Sequence, residues 1–133
     1  MRVVAIIQAR MNSSRLPGKV LETVEGKPII EWQIERLLLS RLIDEVVIAT
    51  SDQKSDDPIV KLCKKLKIRF YRGSESDVLK RVTETIRKFN AYIHVECFGD
   101  SPLVDPKIID EYIGFFIKNI KIYDFVSNTI HHT

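Results

Sequence analysis

"VVAIIQARMNSSRLPGKVL" (residues 3–21) is the stretch on which the fold turns. Val3 to Ile7 is an unbroken apolar run rich in β-branched residues, as expected of a strand buried on both faces. It stops abruptly in a polar loop carrying Arg10, Arg15 and Lys19, with Pro17-Gly18 just ahead of the last cation. A strand covered on both sides belongs to a parallel sheet with helices above and below it. Positive charge gathered at such a strand's exit asks for a negative partner.

Outward from that strand, the chain alternates. Pro28 fits the first turn of a helix whose apolar face repeats at Ile30, Ile34, Leu37 and Leu38. Glu45 to Thr50 reads as a second strand, and Asp57-Pro58 as a cap and first-turn proline before a helix facing inward through Ile59, Cys63 and Leu66. Ile68 to Arg72 is a short third strand. Ser74 to Asp77 has the spacing of a capping box, ahead of Val78, Val82, Ile86 and Phe89 at helical period. Ala91 to Phe98 is a fourth strand, with His94 read as a packed core residue. Asp105-Pro106 repeats the cap-and-proline device before Ile109, Tyr112, Ile113 and Phe116, and Tyr123 to Ser127 reads as a fifth strand. The expectation is one α/β domain over residues 1–133: a mostly parallel sheet with helices on both faces.

Composition agrees. With 44% hydrophobic and 29% charged residues among 133, the chain can bury a core and is not a disordered one. A net charge of +3, with acids interspersed and no basic helix face, argues against nucleic acid as the main partner. No apolar stretch approaches the roughly 20 residues that span a bilayer, and no secretory leader precedes Val3. Cys63 and Cys97 read as reduced, buried thiols of a cytoplasmic protein. The adjacent His131 and His132 read as part of a terminal loop rather than a metal site.

In open parallel sheets, ligands bind where the strands end, near the point at which strand order reverses. That rule selects the loops after Ile7, Thr50, Tyr71 and Phe98. In the first, Asn12, Ser13 and Ser14 offer small side chains and backbone N–H groups, Gly18 permits close approach, and Arg10, Arg15 and Lys19 supply charge. Either a polyphosphate binds there, or the loop is a solvated surface whose cations make ordinary ion pairs. Gly18-Lys19-Val20 lacks the hydroxyl of a Walker motif, and GxGxxG is absent. Asp100, in "CFGDSPLVDP" (residues 97–106), is a candidate magnesium ligand facing an anion; Asp105 reads better as a helix cap. Arg72, Gly73 and Ser74 precede a helix N-terminus, and Asp77 either meets a ligand or completes the cap. Ser51 and Asp52 can touch a base or ribose, whereas Asp56 and Asp57 are explained by a helix start.

Taken together and in order, "IIQARMNSSRLPGKVL", "EVVIATSD", "FYRGSESDVLKR" and "GDSPLVDPKIID" resemble the motifs of the cytidylyltransferases that activate acidic sugars. Within that family they are most similar to the branch named after spore coat polysaccharide biosynthesis protein F. The resemblance runs from Met1 to about Thr129. It implies a three-layer, Rossmann-like nucleotidyltransferase fold and transfer of CMP from CTP to a sugar, with release of pyrophosphate, for surface or spore-coat polysaccharide. It implies that Arg10, Arg15 and Lys19 hold the triphosphate and that Asp100 binds Mg2+. Ala9, Ser13, Ser14, Ser51, Asp52, Arg72, Gly73, Ser74 and Asp77 would surround the nucleotide. Members of the family are longer, carry a second acidic motif in their later half, and form homodimers, so the chain reads as the amino-terminal part of such an enzyme. Two rivals are a sugar-nucleotide-dependent glycosyltransferase, against which the lack of a DxD pair counts, and a nucleotide-binding module without turnover.

Overall fold

A computed structural model of the chain describes residues 1–12, 17–99 and 101–127. A four-stranded parallel sheet is built from β1 (Val3–Gln8), β4 (Glu45–Ser51), β5 (Phe70–Gly73) and β6 (Ile93–Phe98), in the order β5-β4-β1-β6. Successive strands β1, β4 and β5 step one way across the sheet; β6 then returns to the other side of β1. The switch point therefore lies between β1 and β6, where Gln8 pairs with both Ala49 and Phe98.

The alternation along β1 explains the two covered faces. Ala5 and Ile7 point into a core with Ile30, Ile34 and Leu37 of α1 (Ile29–Leu37) and with Ile59 and Cys63 of α2 (Asp57–Leu66). Val4 and Ile6 point the other way and, with Val47 and Ala49, pack on Phe89 beside α3 (Val78–Lys88). Ile6, Ile7 and Ile48 are wholly buried. Each contributes about 1.5–3 kcal/mol by leaving water, which is why an unbroken apolar run serves as a central strand. α4 (Pro106–Lys118) closes the edge near β6 through Ile113, packed with Val3 and Ile93. A small antiparallel hairpin, β2 (Thr23–Val24) and β3 (Lys27–Pro28), leads into α1 across the left-handed pair Glu25-Gly26.

Several local expectations are corrected. No fifth strand forms at Tyr123 to Ser127: the N–H groups of Ile122 and Tyr123 both donate to the Asn119 carbonyl, and the Tyr123 ring stacks on Phe115 at 6.1 Å. The segment turns back on α4 instead of extending. Leu38 and Tyr112 face outward, Leu38 because α1 has ended at Leu37. His94 is exposed, since α3 does not reach over β6. Helix α2 begins one residue earlier than its proline suggests, with Asp56 in the cap position and Pro58 within the first turn.

Candidate active site

All four parallel strands end on one edge, so the loops selected from the sequence converge there. Ala9, buried, continues β1 by donating to the Ala49 carbonyl at 3.1 Å. The loop beyond it folds back on itself: the Gly18 N–H donates to the Met11 carbonyl at 2.7 Å, with Gly18 at φ +75°, a conformation that favours glycine. Lys19 follows in a short 3₁₀ turn (Lys19–Leu21). This turn lies against the end of β6. A Cβ added to Gly99 would stand 3.1 Å from the Val20 side chain, 3.2 Å from the Gln8 carbonyl and 3.4 Å from Ala9. Gly99 is thus needed for the two strand exits to meet at the switch point. Ser13, Ser14, Arg15 and Asp100 lie outside the described residues.

What holds the cationic loop is a residue the sequence reading gave to a helix start. Asp56 is buried; its Oδ1 accepts the Met11 N–H at 2.7 Å and its Oδ2 accepts the Ser51 hydroxyl. Ser51 is consequently committed to Asp56 and fully buried, not open to a base. Asn12 adds a bond to the Ser55 hydroxyl at 3.2 Å. Arg72 is likewise structural in part: Nε and Nη2 donate to the Ser51 and Gln53 carbonyls at 2.8 and 2.7 Å, and Nη1 pairs with Asp57 at 2.8 Å.

Arg10 reaches across the edge to the loop before α3. Its Nη1 donates to the Glu75 carbonyl at 3.0 Å and its Nη2 pairs with the Glu75 carboxylate at 3.2 Å. Beneath it lies Arg81, the largest wholly buried side chain. Arg81 donates to the Ser74 carbonyl at 2.8 Å, and at 3.4 Å to the Glu75 carbonyl and the Gln8 side-chain oxygen. Burial, then the nearby charge of Arg10, lowers the Arg81 pKa, while Asp56 opposes the shift. Gly73 makes this fit possible, since a Cβ there would meet Tyr71 at 2.9 Å and Arg81 at 3.1 Å. Arg81 was missed in the sequence, though its place beside Val82 and four residues before Thr85 puts it on the buried face of α3.

An open hollow of about 510 Å³ lies between β5 and α3, within the usual size of a small-ligand site. Asp52, Arg72, Gly73, Ser74 and Glu75 line it. Asp77 acts as the N-cap of α3, accepting the Lys80 N–H at 3.0 Å while its own N–H donates to Ser74 Oγ. Asp105 caps α4 in the same way through the Lys107 N–H at 2.9 Å. Among the described residues no three potential metal ligands gather, and no helix is long and apolar enough to cross a membrane.

Comparison with known proteins converges on one family. A family model described as cytidylyltransferase matches residues 4–129. The chain is 35% identical over 130 residues to the spore coat polysaccharide biosynthesis protein SpsF of Bacillus subtilis, covering 95% of this chain and 54% of that protein. A solved cytidylyltransferase from Leptospira borgpetersenii superposes with a TM-score of 0.85 at 36% identity, over 90% of this chain and 50% of its own. A CMP:2-keto-3-deoxy-manno-octonic acid synthetase solved with CTP superposes at 0.78 and 28% identity, over 90% of this chain and 49% of its own. The chain spans about half the length of the curated relatives it matches.

Proposed function

The chain belongs to the cytidylyltransferase family, and from that premise we propose that it forms the nucleotide-binding half of an enzyme transferring CMP from CTP to an acidic sugar. The observation that carries this reading is the convergence of the Arg10 and Arg81 guanidinium groups on the Glu75 carbonyl, at the same sheet edge where the Gly18–Lys19 turn leads into Val20 packed against the end of β6.

The chemistry is an in-line displacement. A sugar hydroxyl attacks the α-phosphorus, forming a new P–O bond as the bond to pyrophosphate breaks. The protein's work is alignment and neutralisation of charge, not covalent catalysis. Arg10, Lys19 and Arg15 are assigned to the phosphates, and the hollow beside Asp52, Arg72, Gly73 and Ser74 to the nucleoside or sugar. Magnesium, when bound, neutralises phosphate charge further. The described carboxylates of this edge gather into no cluster for it: Asp56 holds Met11 and Ser51, Asp57 pairs with Arg72, Glu75 holds Arg10, Asp77 caps α3, and Asp52 accepts a bond from Gln53. Asp100, next after Gly99 in the sequence, is the residue proposed to hold the metal. A cytoplasmic location, a homodimer and a role in surface polysaccharide synthesis belong to the same reading.

Calorimetric titration with the four ribonucleoside triphosphates, followed by a pyrophosphate-release assay with magnesium and a panel of acidic sugars, tests it. Saturable binding that favours CTP supports the reading, and sugar-dependent pyrophosphate release extends it to turnover. Equal affinity for all four nucleotides, or none, would overturn it.

A further inference from the structure

Arg81 raises a physical question. A guanidinium this deeply buried is costly unless paired, yet its hydrogen bonds among the described residues all go to neutral oxygens: two backbone carbonyls and the Gln8 amide. Arg10 stands close enough that both guanidinium groups donate to one carbonyl, that of Glu75. The same residue's side chain supplies the carboxylate bonded to Arg10, at 3.2 Å. That carboxylate is 38% exposed and sits on the short loop that also lines the hollow. Of the two cations, Arg10 alone bonds a carboxylate here, that of Glu75, while Arg81 feels the charge of Asp56 without a hydrogen bond to it among the described residues.

From this we infer that Glu75 is a built-in competitor for the nucleotide: its carboxylate occupies the place on Arg10 that a phosphate oxygen takes, and it must swing out when the triphosphate binds. The inference rests on the assignment of Arg10 to phosphate. The arrangement has two consequences. It keeps a paired-cation seat from being filled by stray monoanions, because a ligand must outbid a carboxylate already in place. It also favours ligands with several charges, which gain more from Arg10 than a single charge does. Swinging Glu75 out leaves its backbone carbonyl, and hence Arg81, where they are.

The test compares wild type with Glu75→Gln, which keeps the side chain's size and the backbone carbonyl. Calorimetry with CTP, inorganic tripolyphosphate and uncharged cytidine reads the effect, with thermal melts as the control for folding. A part-exposed ion pair of this kind competes weakly, so the variant is expected to bind CTP and tripolyphosphate about three- to tenfold more tightly. Cytidine, which has no phosphate to seat on Arg10, shows no comparable gain, and the gain of the polyphosphates shrinks as salt rises. Unchanged or weaker binding of both polyphosphates by a folded variant overturns the inference; weaker binding would make Glu75 a ligand contact instead. Tripolyphosphate also separates this idea from the wider reading. If it binds and tightens in the variant while CTP is not preferred over other nucleotides, the competitor stands and the cytidylyltransferase assignment falls. If neither protein binds any polyphosphate, both fall.

Discussion

Removing the carboxylate of Asp56 should loosen the cationic loop and destabilise the domain by several kcal/mol. Asp56 accepts two hydrogen bonds as a buried anion, from the Met11 N–H and the Ser51 hydroxyl. Bonds to a charged acceptor contribute about 1.5–3 kcal/mol each, and stranding their buried donors is what makes the loss full-sized. Asp56→Ala therefore costs about 3–5 kcal/mol, a large part of the roughly 5–15 kcal/mol that holds a domain folded. Asp56→Asn keeps an acceptor for Met11 and the same shape, and should cost about half as much. Urea unfolding monitored by circular dichroism measures both, with 3 kcal/mol moving the midpoint by about 1–2 M. Nucleotide affinity should fall in the same order, because Met11 is the residue that joins Arg10 to the Gly18 turn. If Asp56→Ala unfolds within about 0.5 kcal/mol of wild type and binds CTP equally well, Asp56 does not anchor the loop.

Other parts of the molecule make separate predictions. Glu45 is held below the usual carboxylate range by hydrogen bonding to Arg69, against the effect of burial, and by Arg2. Its contribution is thus present above the unfolded carboxyl pKa of about 4.3 and is lost as pH falls through the lower folded value. Glu45→Gln should cost about 1 kcal/mol at pH 7 and nothing below that window; an equal deficit at both ends of a pH series of urea curves would refute it. Burial pushes the Cys63 thiol up to about 11 and Cys97 up to about 12, so neither should react with iodoacetamide at pH 8 until the protein is unfolded. Rapid labelling of the native protein in a mass spectrum would contradict that burial. Gly73→Ala must displace Tyr71 or Arg81, at about 1–3 kcal/mol in a urea titration.

The sequence carried the sheet because Val3–Ile7 and Val46–Ala49 are apolar on both faces and alternate with helical segments, as covered parallel strands do. It carried the cap at Asp105 because capping is local chemistry, whereas at Asp77 it left cap and ligand contact open, and the structure makes Asp77 the N-cap of α3. Where tertiary contact decides, it was silent or misleading. Tyr123 and Phe125 have strand-forming side chains, but the stacking of Tyr123 on α4 overrides that preference. The hairpin before α1 has strands of two residues each, too short for any alternation to register. Within the site, cations at a strand exit were legible. The pairing of Arg10 with Glu75, 65 residues on, and the use of Asp56 as a clamp on Met11 were not, because each joins loops that only the finished sheet brings together.

The central claim is that a nucleoside triphosphate sits at the junction of β1 and β6. Titrating ¹⁵N-labelled protein with CTP and following its amide signals tests it directly. Saturable shifts are expected at Gln8 to Asn12, Gly18, Lys19 and Gly99, largely abolished by Arg10→Ala with the fold intact. Shifts gathered on α2 or α4 instead, or a titration that Arg10→Ala leaves untouched, would contradict it.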